Sequence, residues 1–380
     1  MKHDPFISRI ELGGVGPRIG IKDCIDIAGL PTCIGSRALL DVPPATSHAQ
    51  VVECLLRAGW QISGKLVMHE LAFGMTGINA HFGTPHNPQD PSRITGGSSS
   101  GSAAAVGQEL VDAALGTDTG GSIRLPAACC GIYGLKPSAG LVSRKGVHPA
   151  SSSLDCVGPF SRDMPILIQV MQAIVPGFHL PTVPNNIRVG LLTPPAEPAI
   201  TDAVTTALAS SGWQIKQMTL PSFDEAFSAA VTLIGYENWQ AFGKLTRQGL
   251  LGEDVEARLL AASAITEAEA NAASRVRERF IAEVDAQLQT VDCLALATLP
   301  RLPPRLEDIR QGAPILDLSA LVRPFNLSGH PALNLPIPLA GSPLKTGLQL
   351  VGRRGADAAL CVLGSALSEH LQPHHSNKPQ

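Results

Sequence analysis

A glycine-rich turn that presents a single serine is the part of this sequence whose residue types point most directly to chemistry. Residues 116–124 read GTDTGGSIR, between an apolar run at 111–115 that predicts a short buried strand and a segment that can begin a helix. Ser122 therefore lies at a predicted strand-to-helix corner, where glycine allows a substrate carbonyl to approach the backbone closely. The backbone N–H groups of Thr119, Gly120, Gly121 and Ser122 could converge on a developing oxyanion. An anion-binding nest or an ordinary turn explains this segment alone equally well.

Two further segments supply candidate partners for this serine. Residues 96–102, GGSSSGS, look like a flexible linker in isolation, but the run AAAVGQELV follows at once and predicts a helix N-terminus inside a folded domain. Residues 20–29 predict an apolar strand that carries Lys22. A lone lysine on a buried strand is more often a snorkelling or ion-paired residue, with Asp23 or Asp26 as its partner. Period-two alternation places Asp26 on the same face as Lys22.

Together these three segments resemble the amidase signature family, whose hallmark is a Ser-cisSer-Lys triad. The resemblance implies that Ser122 is the nucleophile, that Ser98 is the bridging serine on a cis peptide after Gly97, and that Lys22 is the general base and acid. It extends to residues 131–137 (GIYGLKP), 153–159 (SLDCVGP), 325–332 (FNLSGHPA) and 347–352 (GLQLVG), and so covers residues 15–370. The implied activity is that of an amidase, a hydrolase acting on the carbon–nitrogen bonds of linear amides through an acyl-enzyme.

The chemistry of such a triad can also be argued from its residue types. Amide hydrolysis needs a serine stripped of its proton and an amine leaving group supplied with one, and a neutral lysine can do the first and, once charged, the second. An exposed lysine is charged at neutral pH, so burial has to lower the pKa of Lys22. The apolar neighbours Ile19, Ile21 and Ile25 are consistent with such burial.

Residues around the triad have both a functional and a structural interpretation. The resemblance makes Asp118 and Arg124 organisers of the oxyanion loop, while a plain ion pair is equally consistent with the sequence. Ser99 either donates a hydrogen bond toward the triad or caps the following helix, which is the commoner use of such a serine. Substrate contacts are expected from the variable region and from one loop, which contains Ala72, Phe73, Gly74 and Met75.

The pattern along the chain predicts an α/β fold, and the resemblance implies a large, mixed, twisted central β-sheet covered by helices on both faces. One amidase domain is expected over residues 1–370, with a catalytic core at about 15–165, a variable substrate region at about 180–300, a C-terminal core segment at 315–370 and a disordered tail at 371–380. A helix is predicted at 46–58 with Thr46 or Ser47 as its cap, and strands at 62–68 and 188–192. Another helix is predicted at 266–289, beginning with a capping box of Thr266 and Glu269.

Composition argues against several classes of protein. A net charge of −3 and the lack of a long basic cluster give no footprint for nucleic acid, and no apolar stretch reaches the length of a membrane span. Eight cysteines without a C-x-x-C pair fit reduced thiols in a cytoplasm. No metal or cofactor is expected, since metal-ligand spacing is missing around the nearby histidines, which are His69, His81, His86 and His148.

Three functional hypotheses follow from the residues and the resemblance. The first is a free-standing hydrolase of a small linear amide, with a catalytic half that also resembles the carboxybiuret hydrolase branch. The second is the amidase subunit of a multi-protein amidotransferase or carboxybiuret-type hydrolase complex, and the third is an inactive interaction module, against which the intact Lys22, Ser98 and Ser122 argue. The expected partners are a small-molecule amide and either a homodimer mate or a small accessory subunit, with no nucleic acid and no membrane.

Overall fold

The computed structural model of the protein describes residues 3–371, so the predicted tail at 371–380 lies outside the described residues except for Leu371. The strands are β1 (Phe6–Gly13), β2 (Arg18–Lys22), β3 (Gln61–Leu66), β4 (Ala113–Asp118), β5 (Tyr133–Lys136), β6 (Cys156–Ser161), β7 (Arg188–Leu192), β8 (Gln214–Met218), β9 (Cys293–Ala297), β10 (Ala332–Pro338) and β11 (Lys345–Val351). Within the described range they form one 11-stranded sheet in the order β1-β3-β2-β4-β6-β5-β10-β11-β9-β7-β8. The sheet is mixed: β2 is parallel to β3 and β4, and β7 to β8 and β9, while the other pairs are antiparallel.

Helices cover both faces of this sheet. They are α1 (Gln50–Arg57), α2 (Ser100–Gly107), α3 (Arg124–Cys130), α4 (Met164–Ile174), α5 (Pro198–Ala209), α6 (Phe223–Phe242), α7 (Glu253–Ala262), α8 (Glu267–Leu288), α9 (Leu306–Arg310), α10 (Arg323–Leu327) and α11 (Asp357–Leu371). Along β4, Ala113 and Leu115 pack into a core shared with α1 and α4, whereas Ala114 packs into a second core with α2 and α3. Because successive side chains of a strand point to opposite faces, the two cores lie on opposite sides of the sheet. The predicted fold class is confirmed.

Three parallel strands end at the same edge of the sheet and create the place where the site is built. In the register of β2 against its neighbours, Lys22 lies opposite Leu66 at the end of β3, and Ile21 lies opposite Leu115 in β4. The carboxyl ends of β3, β2 and β4 therefore meet. Lys22 is the last residue of β2, and Ser98 and Ser122 lie in the segments that follow β3 and β4.

Several local predictions can be compared with the observed elements. The strand at 188–192 and the capping box of Thr266 and Glu269 are confirmed. The predicted cap of the first helix is wrong: α1 begins at Gln50 with Ala49 as its N-cap residue, because the buried Ala49 is held by a 2.9 Å hydrogen bond from its N–H to the Asp26 carbonyl. Among residues 3–371, no helix combines the length and the apolar character that crossing a membrane requires.

Candidate active site

Lys22 is the last residue of β2, and its side chain is fully buried. Its Nζ lies 2.7 Å from Ser98 Oγ and 2.8 Å from Thr117 Oγ1. Burial lowers the pKa of Lys22, although Cys24, Asp155 and Asp118 act in the opposite direction. The protein thus favours the neutral amine, the form that can accept a proton from a hydroxyl.

The acidic neighbours of Lys22 in sequence are not its partners. Asp23 lies 3.2 Å from Lys65 Nζ in a buried ion pair, and Asp26 accepts a 2.7 Å hydrogen bond from Thr32 Oγ1. The alternation that placed Asp26 beside Lys22 is wrong, because β2 ends at Lys22 and the chain turns there, with the Ile25 N–H donating to the Lys22 carbonyl at 3.0 Å.

Ser98 and Ser99 lie immediately before α2. The Gly97–Ser98 peptide bond is cis, and the Ser98 side chain is fully buried against Lys22. Ser99 is the N-cap residue of α2 but makes no side-chain capping bond; its Oγ donates to the Thr117 carbonyl at 3.2 Å. Of the two uses expected for Ser99, capping is wrong, and its hydroxyl instead ties the start of α2 to β4.

A buried ion pair fixes the turn that carries Ser122. The Asp118 carboxylate accepts hydrogen bonds from Nε and Nη2 of Arg124, each at 3.0 Å, and both side chains are fully buried. Burial by itself raises the pKa of Asp118, but the Arg124 charge and the hydrogen bonds from Arg124 and Asn326 hold it well below its usual range. The same carboxylate accepts the backbone N–H groups of Gly121 at 2.7 Å and Ile123 at 3.1 Å. The pair is therefore an ion pair and an organiser of the turn at once.

The predicted oxyanion donors are not all available in this turn. The Gly121 N–H is committed to Asp118, and so it is not free to receive an oxyanion. Within residues 3–371, no hydrogen-bond partner occupies the N–H of Thr119, Gly120 or Ser122. The candidate oxyanion donors are therefore three backbone N–H groups rather than four.

A cavity of about 400 Å³ opens over Ser122. The four residues expected to contact substrate all line it: Ala72, Phe73, Gly74 and Met75. Gly74 admits no side chain, because a Cβ there would lie 1.9 Å from His69 Nε2. Ser122 retains a small exposure of 8%, so its hydroxyl is reachable from the cavity.

Helix α7 closes one side of the cavity and is fastened to the loop at 69–75. The Gly252 N–H donates to Glu70 Oε2 at 2.8 Å, His69 Nε2 lies 3.1 Å from Asp254 Oδ2, and Arg258 Nη1 donates to the Phe73 carbonyl at 2.7 Å. Helix α7 thereby forms part of the wall around Ser122.

Sequence reasoning missed several residues of this site. Thr117, whose hydroxyl contacts Lys22 Nζ, lies in the glycine-rich segment at 116–124, directly after the strand predicted at 111–115. That position beside the turn of Ser122 was the sequence signal that could have identified it. Glu237 in α6, Arg258 in α7 and Arg323 in α10 line the cavity from three distant helices, and no local pattern marks them. Among residues 3–371, no group of three or more His, Cys, Asp or Glu side chains is placed to hold a metal ion.

Comparison with known proteins agrees with this geometry. The sequence model of the family described as Amidase matches residues 12–361. This chain belongs to the amidase family. It is an amidase, an enzyme that hydrolyses amide carbon–nitrogen bonds, and its resemblance to the amidase signature enzymes is confirmed.

Individual relatives differ in kind. This amidase is 31% identical, over an alignment 425 positions long, to the A subunit of glutamyl-tRNA(Gln) amidotransferase from Halobacterium salinarum, covering 97% of this chain and 100% of that protein. It is 49% identical over 162 residues to Amidase 1 of Oryza sativa subsp. japonica, covering 42% of this chain and 37% of that one. The crystal structure of an amidase superimposes with a TM-score of 0.85 at 32% identity, covering 94% of this chain and 85% of that one.

Proposed function

We propose that this amidase cleaves the carbon–nitrogen bond of a small linear amide through an acyl-enzyme on Ser122, with Ser98 and Lys22 moving the proton. One observation carries the proposal: the buried amine of Lys22 lies 2.7 Å from Ser98 Oγ, at the sheet edge where Ser122 faces a cavity. A lysine kept out of water and bonded to hydroxyls is suited to accept a proton at neutral pH.

The proton follows a closed path in this mechanism. Neutral Lys22 takes the proton of Ser98, which takes that of Ser122, and Ser122 Oγ attacks the amide carbonyl carbon. The carbonyl electron pair moves to oxygen, and the N–H groups of Thr119, Gly120 and Ser122 donate hydrogen bonds to the oxyanion that forms. The charged lysine returns the proton through Ser98 to the amide nitrogen, the carbon–nitrogen bond breaks, and an ester on Ser122 remains. Water then gives a proton to Lys22 along the same path and attacks the ester carbonyl carbon. The bond between that carbon and Ser122 Oγ breaks, the proton returns through Ser98 to Ser122, and the carboxylic acid leaves.

Ammonia release from a panel of small primary amides tests this function, combined with intact-mass detection of the acyl-enzyme. We expect Ser122→Ala to abolish turnover and the adduct without unfolding the protein, because the change removes one hydroxyl oxygen from a small side chain and leaves its Cβ in place. Ser98→Ala should retain measurable but strongly reduced activity. An adduct mapped to a residue other than Ser122 would overturn the assignment.

A second candidate is the amidase subunit of an amidotransferase, which the full-length similarity to such a subunit in Halobacterium salinarum favours. In that case the chain works with a partner protein rather than alone. Purified in isolation, it should then release little ammonia from any small amide, and activity should appear only when a partner is added. Rapid turnover by the isolated chain would support the free-standing hydrolase instead.

We also propose a cytoplasmic location. All eight cysteines are free, and seven of them are buried. Burial raises the pKa of the Cys293 thiol to about 12, so this thiol stays protonated and unreactive. Labelling with an alkylating reagent, with and without prior reduction, should give the same count of modified thiols.

A further inference from the structure

A buried arginine without an acidic partner lies in the wall of the cavity. Arg323 begins α10, is only 8% exposed and lines the same cavity as Ser122. Its Nε donates to Ser319 Oγ at 3.1 Å, and its Nη2 approaches Met75 Sδ at 3.5 Å, a weak acceptor. No carboxylate within residues 3–371 lies within 4.0 Å of the guanidinium. Its Cζ also lies 5.7 Å from the centroid of the Phe227 ring. All of these contacts are with neutral groups, so the buried guanidinium has no counterion in contact with it, and a ligand can supply one.

The arginine stands beside the turn that carries the nucleophile. A Cβ built on Gly120 would lie 3.4 Å from both Cζ and Nε of Arg323, so the guanidinium packs directly against the Gly120 backbone. Gly120 is two residues before Ser122 in the chain. An acyl group attached to Ser122 and extending into the cavity therefore passes close to this positive charge.

The other charged groups of the cavity do not neutralise it. Arg258 also lines the cavity. Burial together with the Arg258 charge lowers the pKa of Arg323 to about 10, although the Asp118 charge acts in the opposite direction, and Arg323 stays charged at neutral pH. The acid of the cavity, Glu237, already accepts hydrogen bonds from Ser152 Oγ and from the Ser153 N–H, each at 3.0 Å. These donors are neutral, so the Glu237 carboxylate keeps its charge, while Arg258 is paired with Asp254 at 3.5 Å. Within residues 3–371, Arg323 is the arginine of the cavity that has no carboxylate in contact.

Most of the remaining wall is apolar. It is formed by residues of the loop at 71–75, of α6, of α7 and of the segment before α10, among them Leu71, Val231, Ile234, Ala262, Ile265 and Ile315. A cavity with one buried cation and hydrocarbon walls fits a substrate with a short hydrocarbon body and one anionic end.

We propose that Arg323 is a specificity-determining residue that binds a carboxylate on the acyl part of the substrate, so that the preferred substrates are monoamides of dicarboxylic acids. This rests on the proposed function, because it assumes that the acyl group is carried by Ser122. A guanidinium bonds a carboxylate with two parallel charge-assisted hydrogen bonds, which a neutral amide cannot offer.

Paired substrates of equal length separate this idea from the activity itself. Glutaramate and pentanamide share their chain length and differ in one carboxylate, and succinamate with butanamide and adipamate with hexanamide extend the series. We expect kcat/KM for the best anionic amide to exceed that of its neutral mate by about 10- to 100-fold. In Arg323→Met this ratio should fall toward 1, mainly through KM, while Arg323→Lys should keep part of it.

The control variant is Arg279→Met, which removes an exposed arginine on α8 that pairs with Glu225 and should leave the ratio unchanged. Equal turnover of anionic and neutral amides by the wild type, or an equal fall of both in Arg323→Met, would overturn the proposal while leaving the hydrolase intact. If no amide is hydrolysed, the proposed function fails. The role of Arg323 in binding a carboxylate can then still be tested by measuring ligand binding. Glutarate should then raise the melting temperature of the wild type but not of Arg323→Met, and glutaramide should raise neither; no shift with any dicarboxylate of four to six carbons refutes it.

Discussion

Replacing Asp118 with asparagine tests whether its buried ion pair with Arg124 sets the turn that carries Ser122. The carboxylate accepts hydrogen bonds from the backbone N–H of Gly121, Ile123 and Arg124 and from Nε and Nη2 of Arg124. Asparagine keeps one acceptor oxygen, turns an NH₂ group toward these donors and removes the counterion of a fully buried guanidinium. Breaking a buried pair by removing one partner costs about 3–5 kcal/mol.

The free energy of unfolding should fall by about 3 kcal/mol, at the lower end of that range, because Arg124 keeps three neutral oxygen acceptors, on Val322, Gln349 and Asn326. At an unfolding entropy of roughly 2 cal/mol/K per residue, this corresponds to a melting temperature about 4 °C lower. Amide kcat should fall on the order of 100-fold, since a displacement of about 1 Å at a reacting group costs that much.

Urea titration gives the free energy of unfolding, and ammonia release gives kcat. The control is Glu225→Gln, which breaks an exposed pair with Arg279 at 2.6 Å and should cost less than about 1 kcal/mol with kcat unchanged. If Asp118→Asn matches Glu225→Gln in both measurements, the pair does not organise the turn. A loss of stability with unchanged kcat would equally contradict the proposed positioning role.

Three further changes test other parts of the site and the fold. Gly121→Ala should reduce kcat and stability together, because Gly121 has φ +110° and a Cβ there would lie 2.3 Å from Val322 Cγ2. Full activity would show that the turn can change its conformation without affecting the site. Lys22→Met should abolish amide turnover without lowering the unfolding free energy at pH 7. Burial lowers the pKa of Lys22 from its ordinary value of 10.5, so between the folded-state pKa and 10.5 the folded chain binds fewer protons than the unfolded chain. In urea titrations, the stability of the wild type relative to Lys22→Met should therefore rise with pH across that window. A difference that does not change with pH would contradict burial of a neutral amine. Thr266→Ala should cost about 1 kcal/mol by removing the capping bond to the Glu269 N–H, with amide kcat unchanged; a loss below a few tenths would mean that tertiary packing alone holds the start of α8.

Sequence reasoning located the parts of the site whose conformation depends on neighbouring residues in the chain. The segments around Lys22, Ser98 and Ser122 each combine a short apolar strand or helix with glycines and serines, and such combinations restrict the local backbone strongly. The ends of β2 and β4 then meet because the two strands are parallel neighbours. Element type was therefore predictable, whereas the end of β2 at Lys22 was not, since the apolar pattern continues past the turn.

The cavity wall could not be found in this way. Arg323 follows the apolar run at 320–322, and Arg258 and Glu237 look like ordinary polar positions of amphipathic helices. Their convergence depends on how α6, α7 and α10 pack, which is set by contacts between residues far apart in the chain, such as the Arg258 bond to the Phe73 carbonyl. Periodicity reports which face of a helix is buried but not which distant helix it meets.

The contacts of Arg124 join the turn of Ser122 to the part of the cavity wall that contains Arg323. Its Nε bonds the Asp118 carboxylate that holds the turn of Ser122, while its Nη1 donates at 2.7 Å to the carbonyl of Val322, the residue before Arg323. One buried guanidinium thus contacts both the carboxylate that holds the turn of Ser122 and the residue that precedes α10. A change at Arg124 should consequently alter both kcat and the preference for anionic amides, whereas a change at Arg323 should alter the preference first. Measuring both quantities for Arg124→Lys and Arg323→Lys distinguishes a shared frame from two independent sites, and an unchanged preference in Arg124→Lys would show that the wall is positioned without it.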